Sequence, residues 1–314
     1  MTTRISKQAQ VPEVFAGRRL DQVAHLLFPE FSRTQIQHWI NSGVLQLNQQ
    51  AVKKNRQKLA GNEIIQLETC LQPKEQWQAE RIPLHIVYED TEMMLINKQD
   101  QLVMHPAAGN HQGTLLNGLL HDYPTLATLP RAGIIHRLDK NTTGLVVVAK
   151  TLTAHTWLVT QMQQRLITRE YEALVHGHLI SGGTINQPLS RDPHHRLKFC
   201  CSPKGKPAIT HYRVIGHYPG VTHLRIKLET GRTHQIRVHC AAHGFPIVGD
   251  LLYGGRKYTG RVSASIRTAL IQFPRQALHA KKLALHHPKT QEYMAWEINM
   301  PQDISKLMQI LAAR

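Results

Sequence analysis

Acid is what this chain has least of. Across 314 residues, 21 Asp+Glu face 38 Lys+Arg, a formal charge of +17. Such a bias attracts polyanions and says nothing about fold. Nucleic acid is the first candidate partner. An anionic membrane surface has no support, because no long basic amphipathic helix is present. No apolar run reaches the roughly 18–20 residues that span a bilayer. The opening stretch, MTTRISKQAQVPEV, lacks the apolar core of an export signal. A cytoplasmic protein without a membrane partner is expected. Cysteine is scarce as well. Cys70, Cys200, Cys201 and Cys240 form no C-x-x-C, so reduced thiols are expected rather than a disulfide frame. Walker loop, dinucleotide fingerprint, nucleophile elbow and H-E-x-x-H are all missing, and no cofactor is expected. His239 and His243 stand at helical spacing like half a zinc site. No carboxylate or cysteine completes it, so no metal is expected.

What remains is an ordinary globular composition, 41% hydrophobic and 19% charged, long enough for two domains. Residues 15–75 read as a small α/β unit. RRLDQVAHLLF suits a short helix stopped by Pro29. Ser32 is placed to cap a second helix, SRTQIQHWINSG, which Gly43 ends. VLQLNQQAV and NEIIQLE follow as short strands. Arg33, Gln37 and Lys53 or Lys54 fall on its polar side, where a solvated face explains them equally well. LQPKEQWQAE reads as a linker. Residues 81–314 interleave strand signals with helical segments. They predict an α+β domain with a mixed, largely antiparallel sheet.

Four elements carry chemistry. In HRLDKNTTG, residues 136–144, Asp139 is expected at the end of a strand, before a polar turn and the apolar run GLVVVAK. Alternation puts Ile135, Arg137 and Asp139 on one face. An Asp that merely caps its own turn fits the local pattern too. In LETGRTHQIRVH, Thr233 is placed to cap a helix running through Arg237 and His239 to Gly244, with Arg232 at its start as a phosphate seat. Tyr171 sits in the strand EYEALVHG, where a tyrosine is often simply core. Residues 191–212 form a basic loop, with Arg196, Lys198, Lys204 and Lys206 suited to phosphates.

Taken in this order, the elements resemble the RluA family of pseudouridine synthases. HRLDKNTTG matches the motif carrying that family's catalytic aspartate. TREYEALVHG matches the segment of its active-site tyrosine, and LETGRTHQIRVH that of its arginine. RQALHAKKLALHHP matches its C-terminal motif. Residues 15–75 resemble the small RNA-binding domain of ribosomal small-subunit protein four. The subgroup most resembled acts on 23S rRNA, in the stem-loop facing the decoding centre. Two positions depart from the family pattern: Gln99 follows Asn97-Lys98 where proline is usual, and Thr143 replaces a common serine.

The resemblance implies an isomerase that detaches the base of uridine, turns it and reattaches it through carbon, with no cofactor. Asp139 acts as nucleophile or base, and Arg237 keeps it ionised against the effect of burial. Tyr171 stacks on the base, while Leu228 and Ile236 wall a dry pocket. Arg137 fills the place that the flipped uridine leaves. Arg33, Lys53, Arg196, Lys198 and Lys204 contact RNA. The expected partner is 23S rRNA or a large-subunit precursor, and the protein is expected to be monomeric. A non-catalytic RNA-binding assembly factor is the alternative. A hydrolytic N-glycosidase is disfavoured, because hydrolysis usually employs two carboxylates.

Overall fold

A computed structural model describes residues 3–29, 31, 33–71, 77–107, 109–255 and 262–313. The chain divides into two compact units, Met1–Gln76 and Trp77–Arg314.

The first unit contains β1 (Thr3–Gln10), α1 (Leu20–Leu27), α2 (Arg33–Asn41), β2 (Leu45–Leu47), β3 (Gln50–Ala51) and β4 (Ile64–Leu71). Its sheet runs β1-β4-β2-β3. Leu20, Val23 and Ala24 of α1, Ile36 and Ile40 of α2, and Leu45, Ile65 and Leu67 of the sheet form one core. Phe28 closes α1 just before Pro29, because the residue ahead of proline avoids helical angles. Gly43 takes a left-handed φ of 73° beyond α2. The expected cap at Ser32 and half of the linker, residues 72–76, lie outside the described residues. Strand β1 begins well before residue 15. TRISKQAQ carries little apolar signal of its own, and its pairing along β4 is what makes it a strand.

The second unit contains β5 (Ile86–Glu89), β6 (Met93–Lys98), α3 (Leu115–Asp122), β7 (Thr143–Ala149), α4 (Leu152–Gln163) and β8 (Thr168–His176). Then come β9 (Gly183–Asn186), β10 (Leu189–Arg191), β11 (Phe199–Cys201), β12 (Ile209–Tyr218), β13 (Val221–Leu228) and α5 (Gln235–Ala242). It closes with α6 (Ala264–Gln272), β14 (Leu278–His286), β15 (Tyr293–Glu297) and α7 (Gln302–Ala312). The large sheet runs β5-β6-β7-β14-β8-β13-β12-β9, with β15 also on β14. Its ladders are antiparallel except β7 with β14. This is the mixed, largely antiparallel α+β sheet that the strand signals predict.

Strand β7 shows why. Its β-branched run is buried on both faces. Leu145 and Val147 pack against Ala154 and Leu158 of α4. Val146 and Val148 pack in the core that α3, α5, α6 and α7 share. Each such side chain contributes about 1.5–3 kcal/mol of burial. The strand can start beside β14 only because residue 144 is glycine. A Cβ there would lie 2.3 Å from the Ala280 carbonyl oxygen, and its φ is 118°.

One strand expectation fails. GIIHRLD is not a strand: Ile134 makes a single bridge to Val148, and residues 135–139 belong to no strand, with a bend at His136. Left-handed angles at Arg131, Ala132 and Gly133 steer the chain away from further pairing. The His136 ring nitrogen Nε2 then accepts the Val147 N–H at 3.2 Å, where a ladder carbonyl would otherwise stand. Asp139 therefore sits just ahead of β7, not at the end of a strand of its own.

Candidate active site

Asp139, Tyr171, Leu228, Ile236 and Arg237 line one cleft of about 1150 Å³ in the second unit. Four elements converge there. The chain before β7 brings Asp139, β8 brings Tyr171, the end of β13 brings Leu228, and α5 brings Ile236 and Arg237. Tyr171, Leu228 and Ile236 are buried in the core that floors the cleft. Burial raises the Tyr171 hydroxyl above its ordinary pKa; Arg169 opposes that rise and Asp139 adds to it.

Arg237 donates from Nη1 to Asp139 Oδ2 at 3.0 Å. The same guanidinium is held from behind by Asp250, through Nε at 2.7 Å and Nη2 at 2.8 Å. Tyr253 covers it, with Cζ 5.1 Å from the ring centroid. Burial works against the Arg237 charge, but Asp250 and then Asp139 outweigh it and hold its pKa above the ordinary arginine value. A cation fixed in this way sets a full positive charge against the Asp139 carboxylate. The Asp139 side chain is 16% exposed and also faces His234 Nε2 at 4.0 Å. Only its backbone carbonyl serves the local turn, accepting from Thr142 N–H.

The loop carrying Asp139 is braced on every side. Lys98 is buried and donates to the carbonyls of Gln99, Leu102 and Lys140. Three acceptors match the three protons of an ammonium group. Burial nevertheless brings its pKa down to about 7, with Asp139 and Asp100 pushing back. From the C-terminal motif, Arg275 donates to the Asn141 carbonyl and Gln276 to Thr142 Oγ1. His279 Nδ1 lies 2.8 Å from Thr143 Oγ1.

Helix α5 begins later than expected. Thr233 is not its cap; His234 precedes Gln235 in a left-handed conformation, and no side chain caps the helix. The reason is Gln235. Its Oε1 accepts from Arg232 N–H and Thr230 Oγ1, and its Nε2 donates to the Ile209 carbonyl and Thr210 Oγ1. That network fixes the entry chain before Thr233 can cap. Arg232 donates instead to the Pro207 carbonyl. His239 is a structural residue, contacting Thr210 Oγ1 and the Gln187 carbonyl. Among the described residues no three His, Cys, Asp or Glu side chains stand close enough to hold a metal.

The remaining expected contacts lie elsewhere. Arg137 is exposed on the cleft wall. Arg196 and Lys204 are exposed and Lys198 half-buried, around the β10–β11 hairpin. In the first unit Lys53 is exposed, whereas Arg33 donates to the buried Asp21 at 2.8 Å, beside Arg19 and Gln37. Sequence reasoning missed Asp250, Tyr253, Lys98 and Gln235. The first two stand in VGDLLYGG, residues 248–255, a further segment that resembles the same family.

A family described as RNA pseudouridylate synthase matches residues 92–242. A Salmonella typhimurium protein named ribosomal large subunit pseudouridine synthase D is 48% identical over all 314 residues, covering 96% of that protein. The Haemophilus influenzae protein of the same name is 47% identical over 311 residues, 99% of this chain and 96% of its own. Among solved structures, human RNA pseudouridylate synthase domain containing 1 aligns with 75% of this chain and 97% of its own. Its TM-score is 0.54 at 28% identity.

Proposed function

The chain belongs to the RNA pseudouridine synthases, and from that premise we propose that it isomerises uridines in 23S rRNA of the large ribosomal subunit. The names of its relatives support the large subunit as substrate. The stem-loop facing the decoding centre is the proposed target, and the protein acts in the cytoplasm as a monomer. No helix among the described residues is long and apolar enough to cross a membrane.

One observation carries the chemistry: a cleft-facing carboxylate held against a fixed guanidinium, beside a buried tyrosine. In the reaction the C1′–N1 bond breaks, C1′–C5 forms, a proton leaves C5 and N1 takes one up, so no atom is gained or lost. Asp139 is the reacting carboxylate, attacking as nucleophile or removing a proton as base. Arg237 orients it and faces it with a fixed positive charge. Tyr171 stacks on the detached base, and Leu228 and Ile236 keep out the water that would hydrolyse the intermediate. Arg137, at the wall, takes the place of the flipped uridine at a cost of a few kcal/mol of unstacking. The other acids do not make a hydrolytic pair with Asp139. Asp250 is spent on Arg237, and Glu229 on Arg165 and His211.

Lys53, Arg196, Lys198 and Lys204 contribute phosphate contacts, and the first unit serves as an RNA-binding domain. Arg33 belongs with them, although Asp21 already holds its guanidinium. The deciding experiment maps pseudouridines in large-subunit rRNA from cells lacking the protein. Complementation with wild type restores the missing sites and Asp139→Asn does not. An Asp139→Asn protein that restores them would refute the mechanism. Sites still present without the protein would refute the function.

A further inference from the structure

We propose that Arg169 holds a backbone phosphate of the RNA next to the uridine that enters the cleft; this deepens the function proposed above and rests on it. Arg169 and Tyr171 stand two apart on β8, so they share a face, about 7 Å apart along the strand. Both line the cleft. Arg169 is only 8% exposed. Among the described residues its guanidinium makes no hydrogen bond or ion pair, and its Nε is buried without a partner.

The other buried arginines differ. Arg237 is bound by Asp250 and Asp139, and Arg275 by Asp303. Among the described residues no acid that lines the cleft is left for Arg169. The two carboxylates lining the cleft are Asp139, engaged by Arg237, and Glu229, engaged by Arg165 and His211. The two acids of β8, Glu170 and Glu172, alternate onto the opposite face of the strand, where Glu172 pairs with His223.

Room has been left for this side chain. A Cβ on residue 231 would come within 2.8 Å of Arg169 Nη1, and residue 231 is glycine. A buried, unpaired guanidinium is costly to keep. An incoming anion repays that cost, and a phosphodiester suits the planar fork. A base stacked on Tyr171 places its own flanking phosphate at about the reach of the next same-face residue.

The test uses the full-length protein and large-subunit rRNA, splint-ligated to carry one neutral methylphosphonate linkage 5′ or 3′ of the target uridine. Affinity and single-turnover pseudouridine formation are measured across a salt series. Arg169→Gln is expected to weaken binding about tenfold or more and to lower the slope of log Kd against log salt by about 0.7–0.9. One of the two neutral linkages should weaken wild type by the same factor and Arg169→Gln by nothing further. Arg169→Lys, which keeps the charge, should keep the slope. An Arg169→Gln protein with the wild-type slope, or one that loses as much as wild type to both neutral linkages, overturns the proposal. If Arg169→Gln does not fold, wild type decides alone: indifference to both neutral linkages overturns it. Wild type that makes no pseudouridine on unmodified rRNA would instead refute the function.

Discussion

Arg237 binds two carboxylates, and they are not equivalent. Asp250 is 1% exposed and accepts two guanidinium hydrogen bonds plus the N–H groups of Leu252 and Tyr253. Asp139 accepts one guanidinium bond and keeps 16% exposure to the cleft. Asp250 has its oxygens saturated and anchors the cation. Asp139 receives the field of that cation and retains lone pairs for a substrate. One guanidinium thus separates an anchoring carboxylate from a reacting one.

The largest effect expected from breaking this asymmetry is at Asp139. Asp139→Asn removes the reacting charge but leaves Arg237 paired with Asp250. Single-turnover pseudouridine formation should fall by on the order of 10⁴-fold or more, while the melting temperature barely moves. Asp250→Asn should show the opposite balance. It strips the buried cation of its main partner, so stability should fall by about 3 kcal/mol in denaturant titration. Activity should fall less than in Asp139→Asn, because Asp139 keeps its charge. Equal stability losses in the two variants would show that the two carboxylates are interchangeable.

Periodicity made most of this fold legible. The alternating, β-branched stretches became strands and the 3.6-period stretches became helices, because local pattern and tertiary burial agree there. It failed where a side chain overrode the pattern. GIIHRLD alternates like a strand, yet left-handed turns and the His136 ring displace its ladder. Thr233 is a good cap residue, yet the Gln235 amide network fixes the helix start. The site was legible in part. Asp139 and Arg237 are 98 positions apart, and no spacing rule joins them; the family resemblance did. Asp250, Tyr253 and the Lys98 brace stayed hidden, because their roles lie in hydrogen bonds made across the fold. The same holds for Arg169, whose significance is the absence of a partner.

A smaller effect sharpens the contrast through pH. Three neutral histidines lie on the side of the guanidinium that faces Asp139; the Asp250 turn meets one, His234, at the Tyr253 hydroxyl. Burial pushes His136 down to about 3, with Arg169 adding to the shift. Burial, then Arg275 and Lys281, takes His279 down to about 4. Burial, then Arg131 and Arg137, takes His105 to about 4. Each folded pKa is lowered from an unfolded value of 6.5, so the unfolded state binds the proton first. Stability is therefore whole above pH 6.5 and is lost as pH falls towards 4. Each histidine contributes about 1.4 kcal/mol per pH unit. Between pH 6.5 and 5 most carboxylates have not begun to titrate, so the histidines dominate the slope. His136→Gln should reduce that slope by one histidine's share, since an amide oxygen can still accept the Val147 N–H. Hydrogen exchange should locate the effect. Amides in residues 134–143 should open faster at pH 5 than at pH 7 after correction for intrinsic exchange, and those in 250–253 by clearly less. Equal acceleration in both segments would mean that acid loosens the unit as a whole and that the two sides of Arg237 share one support.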